Sequence, residues 1–275
     1  MMANRISIQI DLQNERSNMF RNCLIACSIA ITLSSLKSTQ AEESGLVRKS
    51  KALVDDKASP ETGFQEIFNG KDLTGWSGNE QLWSVHEGAI TGRTTAESPI
   101  KANTFLIWKA GKVADFVLEL EYRLTPGQES KPGGNSGIQY RSQVKEEAAF
   151  IVGGYQADID WDLTYSGINY EERGRGILAL RGQSVTISDK GEKNAKPIGD
   201  AGELGKKINQ GQWNRYRIVA LGNSLQHFIN DTLMSEVIDK QSDKSAGEGV
   251  LAFQIHTGPP MVIQFRNVRL KNLKQ

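Results

Sequence analysis

From residue 64 onward, short runs of alternating apolar and polar residues, closed by glycine or Asn/Asp turn signals, restrict this chain to a β-rich fold. In Gly249 to Gly258, Leu251, Phe253 and Ile255 fall on one side of a strand, and Ala252, Gln254 and His256 on the other, because successive side chains leave opposite faces. Turn signals such as Asn69-Gly70, Glu87-Gly88, Gly222-Asn223 and Asn230-Asp231 separate the runs, and no long stretch of period 3.6 interrupts them. The pattern predicts strands over 82–86, 105–108, 116–124, 136–141, 155–160, 177–180, 213–221, 224–229, 250–256 and 262–270. Strands at this spacing imply an all-β sandwich or jelly roll of two antiparallel sheets. Segments 126–134 and 183–212 carry glycines and are expected to be loops bordering a cleft.

The N-terminus has a different character. After Met19, an alternative start, come Arg21, an apolar run from Cys23 to Leu36 and small residues up to Ala41, the order of a secretory signal peptide. Residues 1–41 are therefore expected to be a leader, 42–63 a charged linker, and 64–275 the folded domain, periplasmic or secreted. The apolar run is shorter than the roughly 18 to 20 residues that span a bilayer, so no transmembrane segment is expected to persist. Both cysteines, Cys23 and Cys27, fall in the leader, which removes thiol catalysis and disulfides from the exported chain. With 33 Lys+Arg against 32 Asp+Glu, the net charge of +1 carries no phosphate-binding footprint, and nucleic acid is not an expected partner.

Four of the predicted strands have a chemically distinctive second face. These rows are Glu119, Glu121 and Arg123; Asn135, Gly137, Gln139 and Arg141; Gln156, Asp158 and Asp160; and Gln254 with His256. A merely solvated face also alternates, but such faces favour Lys, Thr and Ser. Acids, amides, arginine and histidine can instead orient sugar hydroxyls or ligate a metal, and long flanking loops would complete a carbohydrate-sized groove.

Several ordered segments carry a family resemblance: Phe64 to Trp76, Trp83 to Ile90, Asn135 to Arg141, Gly154 to Ile159, Gln212 to Asn214 and His256 to Leu270. Together they resemble the bacterial 3-keto-disaccharide hydrolase domain family over about 64–273. The resemblance implies a concanavalin A-like jelly roll, export, and action on glycosides whose sugar bears a ketone at its third carbon. In that family the acidic strand often has Glu at the position of Gln156 and Gln at that of Asp158, so here the acid is relocated by two residues.

Cleavage beside a ketone needs a general base, a stabiliser for the enolate oxygen and an acid for the leaving group. On this reading His256 is the base or a metal ligand, Glu121 and Asp158 are the carboxylates sharing its site, and Arg141 binds the enolate or a sugar hydroxyl. Asn135, Gln139, Gln156, Trp161 and Gln254 are the expected substrate-binding residues. Asp158, Asp160 and His256 also offer a ligand set for calcium, magnesium, manganese or zinc, although no His-x-x-x-His or dense Asp-Asn-Gly loop signals one. His86 and His227 have no polar row around them and read as structural. Two other functions fit the same residues: a non-catalytic carbohydrate-binding module, and an ordinary two-carboxylate glycosidase using Glu119 with Glu121 or Asp158 with Asp160.

Overall fold

The structure, a computed structural model, describes residues 63–273; the expected leader and nearly all of the expected linker lie outside them. In chain order the strands are β1 (Gln65–Glu66), β2 (Trp76–Ser77), β3 (Trp83–His86), β4 (Ala89–Arg93), β5 (Thr104–Trp108) and β6 (Phe116–Pro126). Next come β7 (Asn135–Glu146), β8 (Ile151–Asp160), β9 (Asn169–Glu172), β10 (Gly176–Ala179), β11 (Gln183–Ile187) and β12 (Lys193–Pro197). A short helix α1 (Ala201–Gly205) precedes β13 (Asn214–Leu221), β14 (Ser224–Ile229), β15 (Thr232–Asp239), β16 (Val250–Ile255) and β17 (Met261–Asn272). No helix among the described residues is long and apolar enough to cross a membrane.

The strands form two sheets packed face to face. One has ten strands in the order β12-β11-β15-β14-β13-β6-β17-β4-β3, with β1 paired to β17; the other has seven, β10-β9-β8-β7-β16-β5-β2. The expected two-sheet, all-β architecture is therefore what the chain adopts. All pairings are antiparallel except β11 with β15, which is parallel. Segment 183–212, expected as a loop, instead holds β11, β12 and α1. Its outermost strand β12 is exposed at every position, so no apolar alternation marks it.

One side of each strand builds the core. Leu118, Leu120 and Tyr122 of β6, Ile138 and Tyr140 of β7, Tyr155 and Ala157 of β8, and Leu251, Phe253 and Ile255 of β16 meet there. Phe253 stacks on Phe265 of the facing sheet with ring centroids 4.0 Å apart. His227 is fully buried in this interior. Its Nδ1 lies 3.0 Å from the Ile168 carbonyl, which only accepts, so Nδ1 carries the hydrogen and Nε2 accepts from the Tyr140 hydroxyl at 2.8 Å. Burial lowers its pKa to about 4, so it serves the core as a neutral ring.

The β7–β8 hairpin shapes the outer face of the seven-strand sheet. Its register slips between Tyr140 and Gln143, where Arg141 takes a φ of 46°, the signature of a bulge that bends the strand. On the partner strand, Gly154 has a φ of 143° and packs so closely that a Cβ would sit 2.5 Å from Ser142 Oγ. Bent there, the hairpin tip returns to β5: Phe105 N–H donates to the Phe150 carbonyl at 3.0 Å and Thr104 Oγ1 to the Ala149 carbonyl at 3.1 Å. The tip encloses a second apolar cluster of Phe105, Ile107, Val152 and Ala252, with Val144, Phe150 and Val250 against it. This apolar wall borders the polar half of the same face.

Candidate functional site

The polar half is assembled by register. Gln139 of β7 faces Gln156 of β8, which faces Tyr170 of β9; Gly137 faces Asp158 on one side, and Gln254 lies one step beyond the Phe253–Ile138 pair on the other. Gly137 has no side chain because Gln156 crosses it: a Cβ would lie 2.6 Å from Gln156 Cγ and Cδ. Gln139, Gln156, Asp158, Glu172 and Gln254 are all buried.

Their hydrogen bonds form one network. Ser142 Oγ donates to Gln139 Oε1, Gln139 Nε2 to Gln156 Oε1, and Gln156 Nε2 to Asp158 Oδ1, each at 2.6 Å. Gln254 Nε2 donates to Gln156 Oε1 at 3.1 Å and reaches Glu172 Oε2 at 3.5 Å. Asn103 Nδ2 donates to Glu172 Oε1 at 3.2 Å, while Asn103 Oδ1 accepts from Thr257 N–H at 3.0 Å. Asn103 thus ties Glu172 to the turn after β16 that carries His256.

Asp158 is the electrostatic outlier. Burial pushes its pKa up to about 8; the Gln156 hydrogen bond opposes this, and the charges of Glu172 and Asp160 add to it. None of these perturbing groups is a cation, so only the Gln156 amide favours the ionised form, and burial outweighs it. Tyr170 at the rim is also raised, by burial and then by Glu172 and Asp158, and remains a neutral hydroxyl. His256 is half-buried, with Nδ1 2.5 Å from the Thr257 carbonyl. That acceptor fixes the hydrogen on Nδ1 and leaves the Nε2 lone pair available.

The structure gathers Gln139, Gln156, Asp158 and Gln254 on this face, with Asn135 opposite Asp160 at its margin and His256 just past β16. Four expected residues are placed otherwise. Glu121 belongs to β6 of the ten-strand sheet, where it accepts from Arg266 Nε at 2.5 Å and Asn267 Nδ2 at 3.1 Å; it shares no site with Asp158. Arg141 sits in the bulge, which turns its side chain inward, 2% exposed, to donate to the Ala114 and Gly222 carbonyls and to Asp115. Trp161 packs against the main core and Gly211 and lines a small pocket with Ile208 and Gln210. Asp160 is spent on its own turn, its Oδ2 accepting from the backbone N–H of Thr164 and Tyr165.

The ligand set Asp158, Asp160 and His256 is accordingly not assembled. Among the described residues no group of three or more His, Cys, Asp or Glu side chains could hold a metal ion.

Glu172, Asn103 and Tyr170 are the residues that sequence reasoning passed over. β9 reads Asn169-Tyr-Glu-Glu172, four residues without apolar alternation, so period alone gives no strand there. Asn103 lies on a loop before β5 and carries no local signal at all.

Among solved structures the chain is similar to a protein provisionally described as a glycosyl hydrolase from Parabacteroides distasonis, with 19% identity over 77% of this chain and 94% of that one, at a TM-score of 0.48. It is also similar to the carbohydrate binding module CBM66 from Bacillus subtilis, with 15% identity over 72% of this chain and 96% of that one and a TM-score of 0.47. A Bacillus subtilis protein of unknown function with a galectin-like fold matches at 10% identity over 73% and 90% of the two chains, with a TM-score of 0.43. No curated protein matches. The 3-keto-alpha-glucoside-1,2-lyase-like domain model matches residues 63–271, the span of both sheets, and the chain belongs to that family.

Proposed function

We propose that the protein is an exported enzyme that cleaves the glycosidic bond of 3-keto-glycosides on the outer face of the seven-strand sheet, with Asp158 as general acid. The observation that carries this reading is the environment of Asp158. A carboxyl group pushed up to about 8 by burial, without a cation beside it, keeps its proton at neutral pH and can deliver it to a departing oxygen.

The ketone acidifies the hydrogen on the ring carbon between it and the anomeric carbon. A base removes that proton, the C–H electron pair passes into an enolate, and the enolate expels the aglycone as the anomeric C–O bond breaks. Asp158 protonates the leaving oxygen, and water adding across the new double bond completes a net hydrolysis. The free Nε2 of His256 suits the base. With Arg141 turned inward, the half-buried Asn135 and Tyr170 at the rim can donate to the enolate oxygen.

Glu172 beside Asp158 supports a second reading, a conventional two-carboxylate hydrolase. Aglycone release from a 3-keto-glycoside and from its unoxidised parent, each with and without chelator, separates the two. Release from the ketone alone, falling as pH rises through about 8 and lost in Asp158→Asn, is the expected result. Equal release from the parent gives the second reading. Binding without release from either compound leaves a recognition module, and chelator sensitivity brings in a metal held by another donor set.

A further inference from the structure

A buried primary amide can present either end to its neighbour, and a swap exchanges donor for acceptor. In this site the orientation is settled from one end by a group that has no such freedom. Glu172 is a carboxylate acceptor, so Gln254 must turn Nε2 toward it; the same Nε2 donates to Gln156 Oε1. Gln139 also donates to Gln156 Oε1, backed by Ser142 Oγ on its own oxygen. With Oε1 occupied from two sides, Gln156 has only Nε2 to offer Asp158 Oδ1. Gln254 Oε1 is fully buried without a donor, so the orientation of that amide is imposed by what its nitrogen touches.

We propose that Gln139, Gln156 and Gln254 are positioning residues, a pinned amide relay through which Glu172 fixes Asp158 with Oδ1 as acceptor and Oδ2 as the oxygen that bears the exchangeable proton. β9 pins one end through Glu172, and the other end meets the Ser142 hydroxyl in the bend of the β7–β8 hairpin. The relay makes Oδ2 the same oxygen in every molecule, so an acid facing a leaving group does not lose turnover to a rotated carboxyl. Its link to catalysis rests on the proposed role of Asp158; the relay itself does not.

The other groups beside Asp158 on this face are Glu172 and Tyr170 from β9 and Asp160 along β8; Tyr216 of the facing sheet lies on the core side and senses the Asp158 charge only through the sheet. β7 and β16 present only Gly137 and the amides there, with His256 beyond the strand end. Gln254 touches Gln156 and not Asp158, so a change at Gln254 can reach Asp158's titration only through the relay or through general disruption.

The test is a carbon-13 titration of the Asp158 carboxyl in the intact protein, for the wild type, Gln254→Met and Tyr170→Phe. Loss of the pin leaves Gln156 held by Gln139 alone, whose far end is a rotatable hydroxyl, and weakens the donation that favours the ionised acid, so the Gln254→Met midpoint is expected to rise by about half to one pH unit. Tyr170→Phe removes an adjacent group outside the relay and is expected to leave it in place. An unmoved midpoint in a folded Gln254→Met protein, or an equal shift in both variants, overturns the relay. Should Gln254→Met not fold, the wild-type side-chain amide signals decide. Slowly exchanging Gln156 and Gln254 hydrogens with a single fixed orientation support the relay, and averaged, rapidly exchanging ones overturn it. In turnover of a 3-keto-glycoside, Gln254→Met should lower kcat more than it changes KM and move the alkaline limb with the NMR midpoint. A moved midpoint without turnover of any keto-glycoside upholds the relay and removes the proposed function; turnover with an unmoved midpoint does the reverse.

Discussion

The two sheets each carry a row of acids and amides on their outer face, and they use them in opposite ways. On β6, Glu119 is buried yet accepts from Arg215 Nη2 at 2.9 Å and from Arg269 Nε and Nη2 at 3.0 and 2.7 Å. Its neighbour Glu121 is matched by Arg266 and Asn267, and Trp213 lies between Arg123 and Arg266, 4.8 and 4.0 Å from its ring centroid. On β8, Asp158 has one amide donor and two further acids. The comparison teaches that a carboxylate's chemistry is decided by what the adjacent strands supply. Arginine across the ladder makes it a structural ion, and amides with burial make it a proton store.

The largest effect that could break this contrast is catalytic. Asp158→Asn removes the transferable proton and should reduce kcat/KM on a 3-keto-glycoside by about 10²- to 10⁴-fold. Glu121→Gln, on the other sheet, should stay within about twofold of wild type. Equal losses would mean that the ten-strand face takes part in the reaction, against the geometry.

Stability should respond in the reverse order. Glu119→Gln leaves two arginines facing a neutral amide and should cost about 2 kcal/mol in denaturant unfolding. Asp158→Asn relieves a carboxyl held in an unfavourable place and should raise the unfolding midpoint at pH 8. A loss of stability in Asp158→Asn at that pH would show that the Gln156 contact outweighs the burial of the charge.

This contrast also explains what the sequence could and could not disclose. The rows themselves were legible, because period-2 alternation sorts Gln139, Gln156, Asp158 and Gln254 onto one face whatever the sheet order. Which rows share a sheet was not: β6 pairs with β13 and β17, far away in the chain, so nothing local separates Glu121 from Asp158. Arg141 was misread because a bulge breaks the period at that residue. Glu172 was missed because its strand is short and polar and gains its place by pairing with β8.

The pH dependence of stability sharpens the comparison further, since two buried groups pull in opposite directions. Asp158 is raised from 3.8 to about 8, so the folded state holds a proton the unfolded chain has lost; this stabilisation is complete below about 4 and disappears as pH rises through about 8. His227 is lowered from 6.5 to about 4, so its contribution is complete above 6.5 and lost as pH falls toward 4. Each slope is at most about 1.4 kcal/mol per pH unit. They should cancel between about 4 and 6.5, leaving a net fall from 6.5 to about 8. In Asp158→Asn the fall should vanish and a rise up to 6.5 should appear. An unchanged profile would remove Asp158 from the set of perturbed groups.

The smallest expected effect separates the two faces by their response to salt. The Glu121–Arg266 pair has side chains 33% and 37% exposed, so water and ions reach it, and Glu121→Gln should cost less than about 1 kcal/mol at low ionic strength. With a screening length of about 10 Å at 0.1 M and about 3 Å at 1 M, most of that cost should disappear in 1 M sodium chloride. The gain from Asp158→Asn at pH 8 arises instead from dehydration in a buried row, where mobile ions do not enter, and should persist at 1 M. Measuring both differences at the two salt concentrations therefore asks directly whether solvent or protein surrounds each carboxylate. If the Asp158 difference collapses with salt as the Glu121 difference does, the row on β8 is as wet as the row on β6, and its claim to hold a neutral acid is lost.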